Sequence, residues 1–239
     1  MDYMSVNNEY IKNIKKLELK KYRDKTGDFL VEGKHQVEEA FSSGILKELF
    51  VLENTDFHLD VKTSVVSSSV MQYLANTVAT QNVIGLAHKV PARPINGNVL
   101  MLDGIQDPGN MGTIIRTAKS FNIDTIILSM ESVDIYNAKV IRSTEGTMFS
   151  MNIIYASLPL MINNLKKLGY TILGTNVKNG TNLKDYHVET KYALIMGNEG
   201  NGVRKEIQDM CNTNLYIPIK AESLNVAIAT AIILYELEK

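Results

Sequence analysis

Three short loops in the second half of the chain gather the polar residues that could carry out chemistry. The first loop spans residues 102–113 and leads into a helix that contains Arg116. Its glycines permit a tight turn, and the helix N-terminus that follows can attract an anion. The loop has neither the Gly-x-Gly-x-x-Gly pattern of dinucleotide-binding folds nor the Walker lysine. On their own, Asn110 and Arg116 could therefore be a capping residue and a surface residue.

The second and third loops each offer polar groups next to a helix. The second spans residues 197–202 and has three glycines in six positions, so the backbone either turns sharply or lets another group approach closely. Its Glu199 could act on a substrate or cap a helix. The third loop, residues 217–225, contributes Ser223 and Asn225, either of which could cap the last helix.

The elements around these loops alternate between strands and helices. Apolar runs of strand length at residues 99–102, 125–129 and 192–196 are separated by segments of helical periodicity, such as residues 111–121 and 158–168. This pattern predicts an α/β fold, with a mostly parallel sheet covered by helices on both faces. Ligands bind beyond the carboxyl ends of such strands, so the three loops lie where a site is expected.

A cluster of chain-breaking residues divides the sequence in two. Two prolines, one glycine and two asparagines fall within residues 89–98, which predicts a linker at residues 91–97. Residues 1–90 are predicted to form a small α/β domain, and residues 98–239 a larger one.

A basic segment lies near the start of the chain. Between Tyr10 and Lys25 there are seven Lys or Arg residues and only two acidic ones, and apolar residues recur at near-helical spacing. This predicts an amphipathic helix over about residues 8–25, whose basic face is either simply solvated or contacts RNA phosphates. The candidate phosphate-binding residues are Lys12, Lys15, Lys16, Lys20, Lys21 and Arg23.

Taken together and in this order, the three loops resemble the motifs of the SpoU family, the RNA ribose 2′-O-methyltransferases of the SPOUT superfamily. The matching stretches are Asp107-Pro-Gly-Asn-Met-Gly-x-x-x-Arg116, Met196-Gly-Asn-Glu-Gly200 and Ile217-Pro-Ile-x-x-x-Ser-Leu-Asn-Val226. The resemblance spans about residues 98–239. The first half is similar to the RNA substrate-binding domain of many members, which has a fold like that of small ribosomal RNA-binding proteins and opens with a stretch like Phe29-Leu-Val-Glu-Gly33.

The resemblance implies a fold, a cofactor and an assembly. The C-terminal part of the domain, roughly residues 170–226, would form a deep trefoil knot, which general rules of chain connection would not suggest. S-adenosylmethionine would be the methyl donor, and two copies would form a homodimer through the catalytic domain, with the active site near the subunit interface. Arg142 lies in a stretch similar to a family segment on the substrate side and joins the candidate RNA contacts. The residues that match the cofactor pocket are Thr175, Gly197, Gly200, Ile217 and Leu224.

The resemblance also assigns roles at the reacting atoms. Arg116 would have the central catalytic role. Because an arginine side chain stays protonated near neutral pH, we expect it to orient the ribose hydroxyl and an adjacent phosphate rather than to remove the proton. Asn110 and Asn225 would order the ribose or the loops around it. Glu199 would tie the second loop to the first, and Ser223 is a second candidate for contact with the hydroxyl.

The composition narrows the classes of protein. Twenty-five Lys and Arg against 26 Asp and Glu give a net charge of -1, which excludes RNA binding through bulk positive potential but not through a local basic face. The single cysteine cannot form an internal disulfide and one thiol is not a metal site, so we expect a cytoplasmic protein without a metal. The sequence shows no signal-peptide pattern, and its longest apolar stretch, about residues 226–235, is half of what spans a bilayer.

Three functional hypotheses follow from these observations. The leading one is S-adenosylmethionine-dependent methyl transfer to a ribose 2′-hydroxyl of RNA, with large-subunit (23S-type) ribosomal RNA as the first substrate and tRNA as the alternative. A non-catalytic RNA- or ribosome-binding protein that keeps the fold is a different class, but it would have no need of all five candidate catalytic residues. A dinucleotide-dependent enzyme is disfavoured by the missing glycine fingerprint.

Overall fold

Two β-sheets organise the structure, one in each of two units. The computed structural model describes residues 2–77, 81–178, 180–188, 190–220 and 222–238. The first unit consists of Met1–Pro91 and Asp134–Ser150, and the second consists of Ala92–Val133 and Met151–Lys239.

The strands and helices are numbered here in chain order. The strands are β1 (Asp2–Tyr3), β2 (Asp28–Glu32), β3 (Leu46–Leu52), β4 (Thr63–Val66), β5 (Val83–His88), β6 (Asn98–Asp103), β7 (Ile123–Leu128), β8 (Asn152–Tyr155), β9 (Thr171–Thr175), β10 (Thr181–Asn182), β11 (Tyr192–Gly197) and β12 (Thr213–Tyr216). The α-helices are α1 (Glu9–Lys15), α2 (Lys20–Thr26), α3 (Lys34–Ser42), α4 (Ser68–Leu74), α5 (Pro108–Ser120), α6 (Ala138–Thr144), α7 (Leu158–Lys167), α8 (Lys205–Gln208) and α9 (Val226–Leu237). No helix in the described ranges is both long and apolar enough to cross a bilayer.

The first unit is built on a five-stranded mixed sheet with the order β1-β4-β3-β5-β2. Strand β5 pairs antiparallel with β2 and β3, whereas β4 pairs parallel with β3. Phe50, Ile11 and Leu74 are fully buried and belong to one cluster of core side chains. Burying an apolar side chain of this size stabilises the fold by roughly 1.5–3 kcal/mol. The sheet and the helices α1 and α4 therefore share one core.

The basic segment forms two helices, so the prediction of a single helix over residues 8–25 is wrong. Helix α1 begins after its cap Asn8, a 3-10 turn follows at Lys16–Glu18, and α2 begins immediately after Leu19. Leu19 has extended backbone angles (φ -93°, ψ 128°), and this conformation interrupts the helical hydrogen bonds. Leu19 is 54% exposed. The apolar residues before it still face the core, which is why the periodicity resembled that of one helix.

Residues 134–150 belong to the first unit, although they lie within the sequence range predicted for the second domain. The ring centroid of Phe29 in β2 lies 4.7 Å from that of Tyr136 and 5.9 Å from that of Phe149. Arg23 forms an ion pair with Asp134 at the start of the segment. Aromatic contacts and a partly buried ion pair thus hold this segment to the first sheet, and the structure departs from the predicted boundaries here.

The second unit contains a seven-stranded sheet with the order β10-β12-β9-β11-β6-β7-β8. Every pairing among its described strands is parallel. The central strands β6 and β11 are buried almost throughout, as expected for strands with neighbours on both sides. The predicted α/β fold is confirmed, and the knot expected at residues 170–226 stays a prediction.

The register of the central strands determines where the loops leave the sheet. Gly197 at the end of β11 pairs with Asp103 at the end of β6, so the loops that follow these strands begin side by side. Strand β12 pairs with β9, with Leu215 opposite Thr175, and the third loop begins directly after β12. The carboxyl ends of parallel strands share one edge, so all three loops leave the same edge of the sheet.

Candidate active site

The first loop is fixed to the helix that it opens. Asp107 caps α5 by accepting a hydrogen bond from the backbone N–H of Asn110 at 2.8 Å, and Pro108 occupies the first turn. A carboxylate cap with proline at this position is a strong helix start. The side chain of Asn110 is therefore held at the N-terminal end of α5.

A chain of hydrogen bonds joins the three loops through their polar side chains. Asn110 Nδ2 donates to Glu199 Oε1 at 3.0 Å, and Asn225 Nδ2 donates to Asn110 Oδ1 at 2.9 Å. Asn225 also caps α9, because its Oδ1 accepts from the backbone N–H of Ala227 at 2.9 Å. Glu199 thereby ties the second loop to the first, and Asn225 ties the third loop to both.

The second loop owes its shape to Asn198 and the glycines around it. Asn198 Nδ2 donates to the carbonyl of Gly104 at 2.8 Å, and its Oδ1 accepts from the backbone N–H of Gly200 at 2.8 Å. The backbones of Asn198 and Gly202 also exchange two hydrogen bonds, at 3.1 and 2.9 Å. A Cβ on Gly197 would lie 2.0 Å from backbone atoms of Gly202 and Val203, so this loop can close only over a glycine.

An ion pair between a buried carboxylate and an exposed arginine fixes the far end of the same loop. Asp103 is 3% exposed, and it accepts hydrogen bonds from the backbone N–H of Arg204 at 3.0 Å and from its Nε at 2.9 Å. The hydrogen bond to Asp103 raises the pKa of Arg204. Neither residue was selected from the sequence: a carboxylate that ends a buried strand indicates that a partner is needed, but not which residue supplies it.

A cavity of about 280 Å³ opens beside these loops. All five residues predicted for the cofactor pocket line it, as do Glu199 and Ser223. Its apolar wall consists of Met196, Leu215, Ile217, Ile219, Leu224, Val226 and Ile233. Thr175 Oγ1 is already engaged, because it donates to the carbonyl of Ile195 at 2.9 Å. The cavity therefore combines an apolar wall with the backbone groups and side chains of residues 197–202.

The cavity does not bring all the predicted catalytic residues together. Asn110 and Asn225 are not among the described residues that line the cavity. Asn110 is bonded to the lining residue Glu199, and Asn225 is bonded to Asn110. Arg116 is exposed on α5 and is not among the described residues that line the cavity. Within the described ranges its guanidinium has no hydrogen bond or ion pair. Arg116 is therefore the one predicted catalytic residue that the structure leaves apart from the others.

Two family models match the chain, and together they cover most of it. The SpoU rRNA Methylase family matches residues 97–235, and the MRM3-like substrate binding domain matches residues 8–85. A relative from Bacillus subtilis (strain 168), the 23S rRNA (guanosine(2553)-2′-O)-methyltransferase RlmP, is 37% identical over 241 residues, covering 98% of this chain and 97% of the relative. The chain belongs to the SpoU rRNA methylase family.

Solved structures agree with SpoU membership over nearly the whole length. The crystal structure of an rRNA methyltransferase from Sinorhizobium meliloti is similar with a TM-score of 0.88 and 28% identity, covering 99% of this chain and 96% of that chain. An AdoMet-bound structure of an rRNA methyltransferase from the same organism has a TM-score of 0.87 with the same identity and coverage. These matches confirm the predicted family and an RNA-methylating enzyme, and the AdoMet-bound neighbour supports the predicted cofactor.

The cavity of this SpoU protein fits S-adenosylmethionine on its own features. An apolar wall suits an adenine ring, while the backbone of residues 197–202 and Glu199 offer hydrogen-bonding groups to the polar part of the molecule. Thr175 contributes shape, since its hydroxyl donates elsewhere. Among the described residues there is no group of three or more His, Cys, Asp or Glu that could hold a metal ion.

The candidate RNA contacts all lie in the first unit, and most are accessible. Lys12, Lys16, Lys20 and Lys21 are exposed, and Lys15 pairs with Glu18. Arg23 differs from the prediction, because it is 5% exposed and binds the carbonyls of Leu17 and Glu18 together with Asp134. Arg142 is half-buried, and its Nη1 has no hydrogen-bond partner in the described part of the chain.

Proposed function

We propose that this chain transfers the methyl group of S-adenosylmethionine to a ribose 2′-hydroxyl of large-subunit (23S-type) ribosomal RNA. The observation that carries the proposal is the hydrogen-bonded chain Glu199–Asn110–Asn225, which joins three separate loops beside the cavity. Such a chain holds the loops in one arrangement before the reactants arrive, and pre-organisation of this kind is what a positioning site requires.

The cavity is the proposed cofactor site, with Thr175, Gly197, Gly200, Ile217 and Leu224 as its contacts. S-adenosylmethionine supplies an electrophilic methyl group when bound. Glu199 and Ser223 line the same cavity, so either side chain can reach a ribose placed at its mouth. Both remain candidates for contact with the 2′-hydroxyl, and Asn110 and Asn225 act by holding the loops.

A homodimer through the second unit is the proposed assembly. Helix α9 is apolar except for Thr230 and Glu236, and its residues Ile228, Ile232 and Tyr235 are 54%, 39% and 57% exposed. These positions follow each other at helical spacing, so they form one apolar stripe along the helix. A second copy of the chain that covers this stripe would also approach α5, which packs against α9 and carries Arg116.

The substrate proposal rests on the family and on one relative. The relative RlmP is a 23S rRNA (guanosine(2553)-2′-O)-methyltransferase, and the match covers almost all of both chains. We therefore place the substrate in large-subunit ribosomal RNA, with a guanosine as the first candidate nucleotide. The cytoplasm is the proposed compartment, since the sequence has a single cysteine and shows no signal-peptide pattern.

The experiment that tests this function is a map of ribose methylation in total RNA. A strain that lacks the gene is compared with its parent and with strains that carry the wild-type gene or the Glu199→Ala variant. We expect one 2′-O-methylated site in 23S rRNA to disappear and to return only with the wild-type gene. Loss of a site in tRNA would assign the tRNA alternative, and no lost site together with retained RNA binding would indicate a non-catalytic RNA-binding protein.

A further inference from the structure

A second cavity, of about 130 Å³, lies in the first unit, whereas the proposed cofactor site belongs to the second unit. It is bounded by the turn between α1 and α2, by β2, by the end of α4 and by the start of α6. The residues that line it are Leu17, Glu18, Arg23, Leu30, Asn76, Tyr136, Asn137 and Ala138. All of them belong to the first unit.

Arg23 in this cavity has a donor that the rest of the chain does not use. Its Nη1 donates to the carbonyls of Leu17 at 2.7 Å and Glu18 at 2.6 Å, and its Nη2 donates to Asp134. Its Nε is buried and has no hydrogen-bond partner among the described residues. Because this nitrogen is buried, Arg23 acts as a fixed wall of the cavity, and the groups that a ligand can reach lie on the other residues around it.

The remaining walls offer amide groups and apolar surface. Asn137 Oδ1 accepts from the backbone N–H of Lys139 at 2.9 Å, which leaves its Nδ2 available. The side chain of Asn76 makes no hydrogen bond within the described ranges. Leu17 and Leu30 supply apolar surface, so the cavity combines apolar side chains with the amide groups of two asparagines.

The charge balance of the cavity excludes a simple anion site. The positive charge of Arg23 is already matched by Asp134, and Glu18 pairs with Lys15 outside. A neutral ligand with hydrogen-bond acceptors and a flat apolar face matches these walls better than a phosphate does. Exposed Lys16, Lys20 and Lys21 lie on the same stretch of chain as Arg23, where they can bind phosphates of a strand that enters the cavity.

We propose that this cavity receives one unpaired nucleobase of the substrate RNA, with the amides of Asn76 and Asn137 reading the edge of the base and Arg23 forming a fixed wall. The inference rests on the proposed function, because it takes RNA as the substrate. Single-stranded bases that are turned out of a helix are what proteins read most often in folded RNA. The cavity would then select an RNA site by its loop, through contacts separate from those to the reacting ribose.

The test is the affinity of the full chain for an unmodified 23S rRNA transcript, measured as Kd over a range of salt concentrations. Ala138→Leu fills the cavity without removing a hydrogen bond, and Asn76→Ala removes one amide. Ala138→Ser is the control that keeps the cavity open, and Asn7→Ala is the control at an exposed asparagine of the same unit. All variants are first checked for an unchanged Tm.

We expect Kd to rise about tenfold for Ala138→Leu and for Asn76→Ala, since a base contact of this kind is worth roughly 1–3 kcal/mol. The slope of log Kd against log salt should stay that of the wild type, because no phosphate contact is lost. A shallower slope would mean that the cavity binds a phosphate, and a Kd within twofold of the wild type would mean that it binds no part of the RNA; either result overturns the proposal. Because the readout is binding, an absence of methyl transfer would remove the proposed function and leave this comparison intact.

Discussion

Asn110 and Asn225 show how single side chains hold the site together. Each uses both the nitrogen and the oxygen of its amide to hold neighbouring loop groups, and one N–H of each amide has no partner among the described residues. They are therefore positioning residues, and their assignment as catalytic residues stays a prediction for the complex with RNA. Glu199, by contrast, lines the cavity and uses one carboxylate oxygen for Asn110, which leaves the other for a ligand.

Arg116 gives the sharpest prediction at the scale of one residue. Arg116→Lys should lower turnover by about 100-fold or more, because a lysine keeps the charge but loses the planar fork that orients two oxygens. Affinity for S-adenosylmethionine should stay within about twofold, since Arg116 does not line the cavity among the described residues. Single-turnover methyl transfer and isothermal titration would measure the two effects. Near-normal turnover in this variant would contradict the positioning role.

Cys211 gives a prediction about pH. Burial raises the pKa of its thiol to about 11, and the thiol also donates to the carbonyl of Ile207 at 3.3 Å. Because the thiolate is the reactive form, a raised pKa means less thiolate at pH 8. Reaction with Ellman's reagent at pH 8 should be roughly two orders of magnitude slower in the folded chain than in urea, and it should accelerate from pH 8 to pH 10. Equal rates with and without urea would contradict the buried position.

The sequence indicated which residue types form the site, but it did not reveal which charges are buried. Arg23 looked like its lysine neighbours, but it is buried, and its charged partner Asp134 lies 111 positions further along the chain. Arg204 and Asp103 are separated by 101 positions and were not selected for the same reason. Pairings of this kind depend on the tertiary fold, so the spacing of residues along the sequence does not reveal which residues form them.

Among the secondary-structure elements, those with strong local periodicity could be predicted, and a short strand defined by its pairing with a neighbour could not. Strands β6 and β11 and helix α7 lie within a residue or two of their predicted positions, since apolar runs and helical periodicity define them locally. Strand β8 has only four residues and was not predicted, because its identity comes from parallel pairing with β7. The break at Leu19 was hidden by apolar residues that keep their spacing on both sides of the 3-10 turn.

Helix α9 carries the prediction that belongs to this scale. Replacing Ile228 and Ile232 together by Glu should convert the proposed dimer into a monomer at micromolar concentration, because charges would have to be buried in an apolar contact. Sedimentation velocity measures the change, and an unchanged Tm shows that the monomer is folded. Leu168→Glu is the matched control, since Leu168 is a 69% exposed apolar residue of the same unit outside α9. A double variant that stays dimeric would contradict the proposed interface.

The whole molecule has a net charge of -1, so its RNA affinity must come from a local surface. The exposed basic residues of the first two helices are Lys12, Lys16, Lys20, Lys21 and Lys25, now without the buried Arg23. Up to five phosphate contacts predict a slope of log affinity against log salt no steeper than about -4.5. Filter binding to a 23S rRNA transcript at salt concentrations from about 50 to about 300 mM would measure this slope. A slope near -9, equivalent to ten phosphates, would contradict a local basic surface.

Because residues 134–150 belong to the first unit, recombination between related genes cannot exchange that unit as one continuous piece. The coding sequence of that unit is split, and the chain passes from one unit to the other three times. A fragment that ends at Pro91 would leave Phe29 without the rings of Tyr136 and Phe149. An exchange of RNA-binding halves between related genes therefore has to move both coding pieces in the same event, and a single crossover at the linker would join mismatched partners.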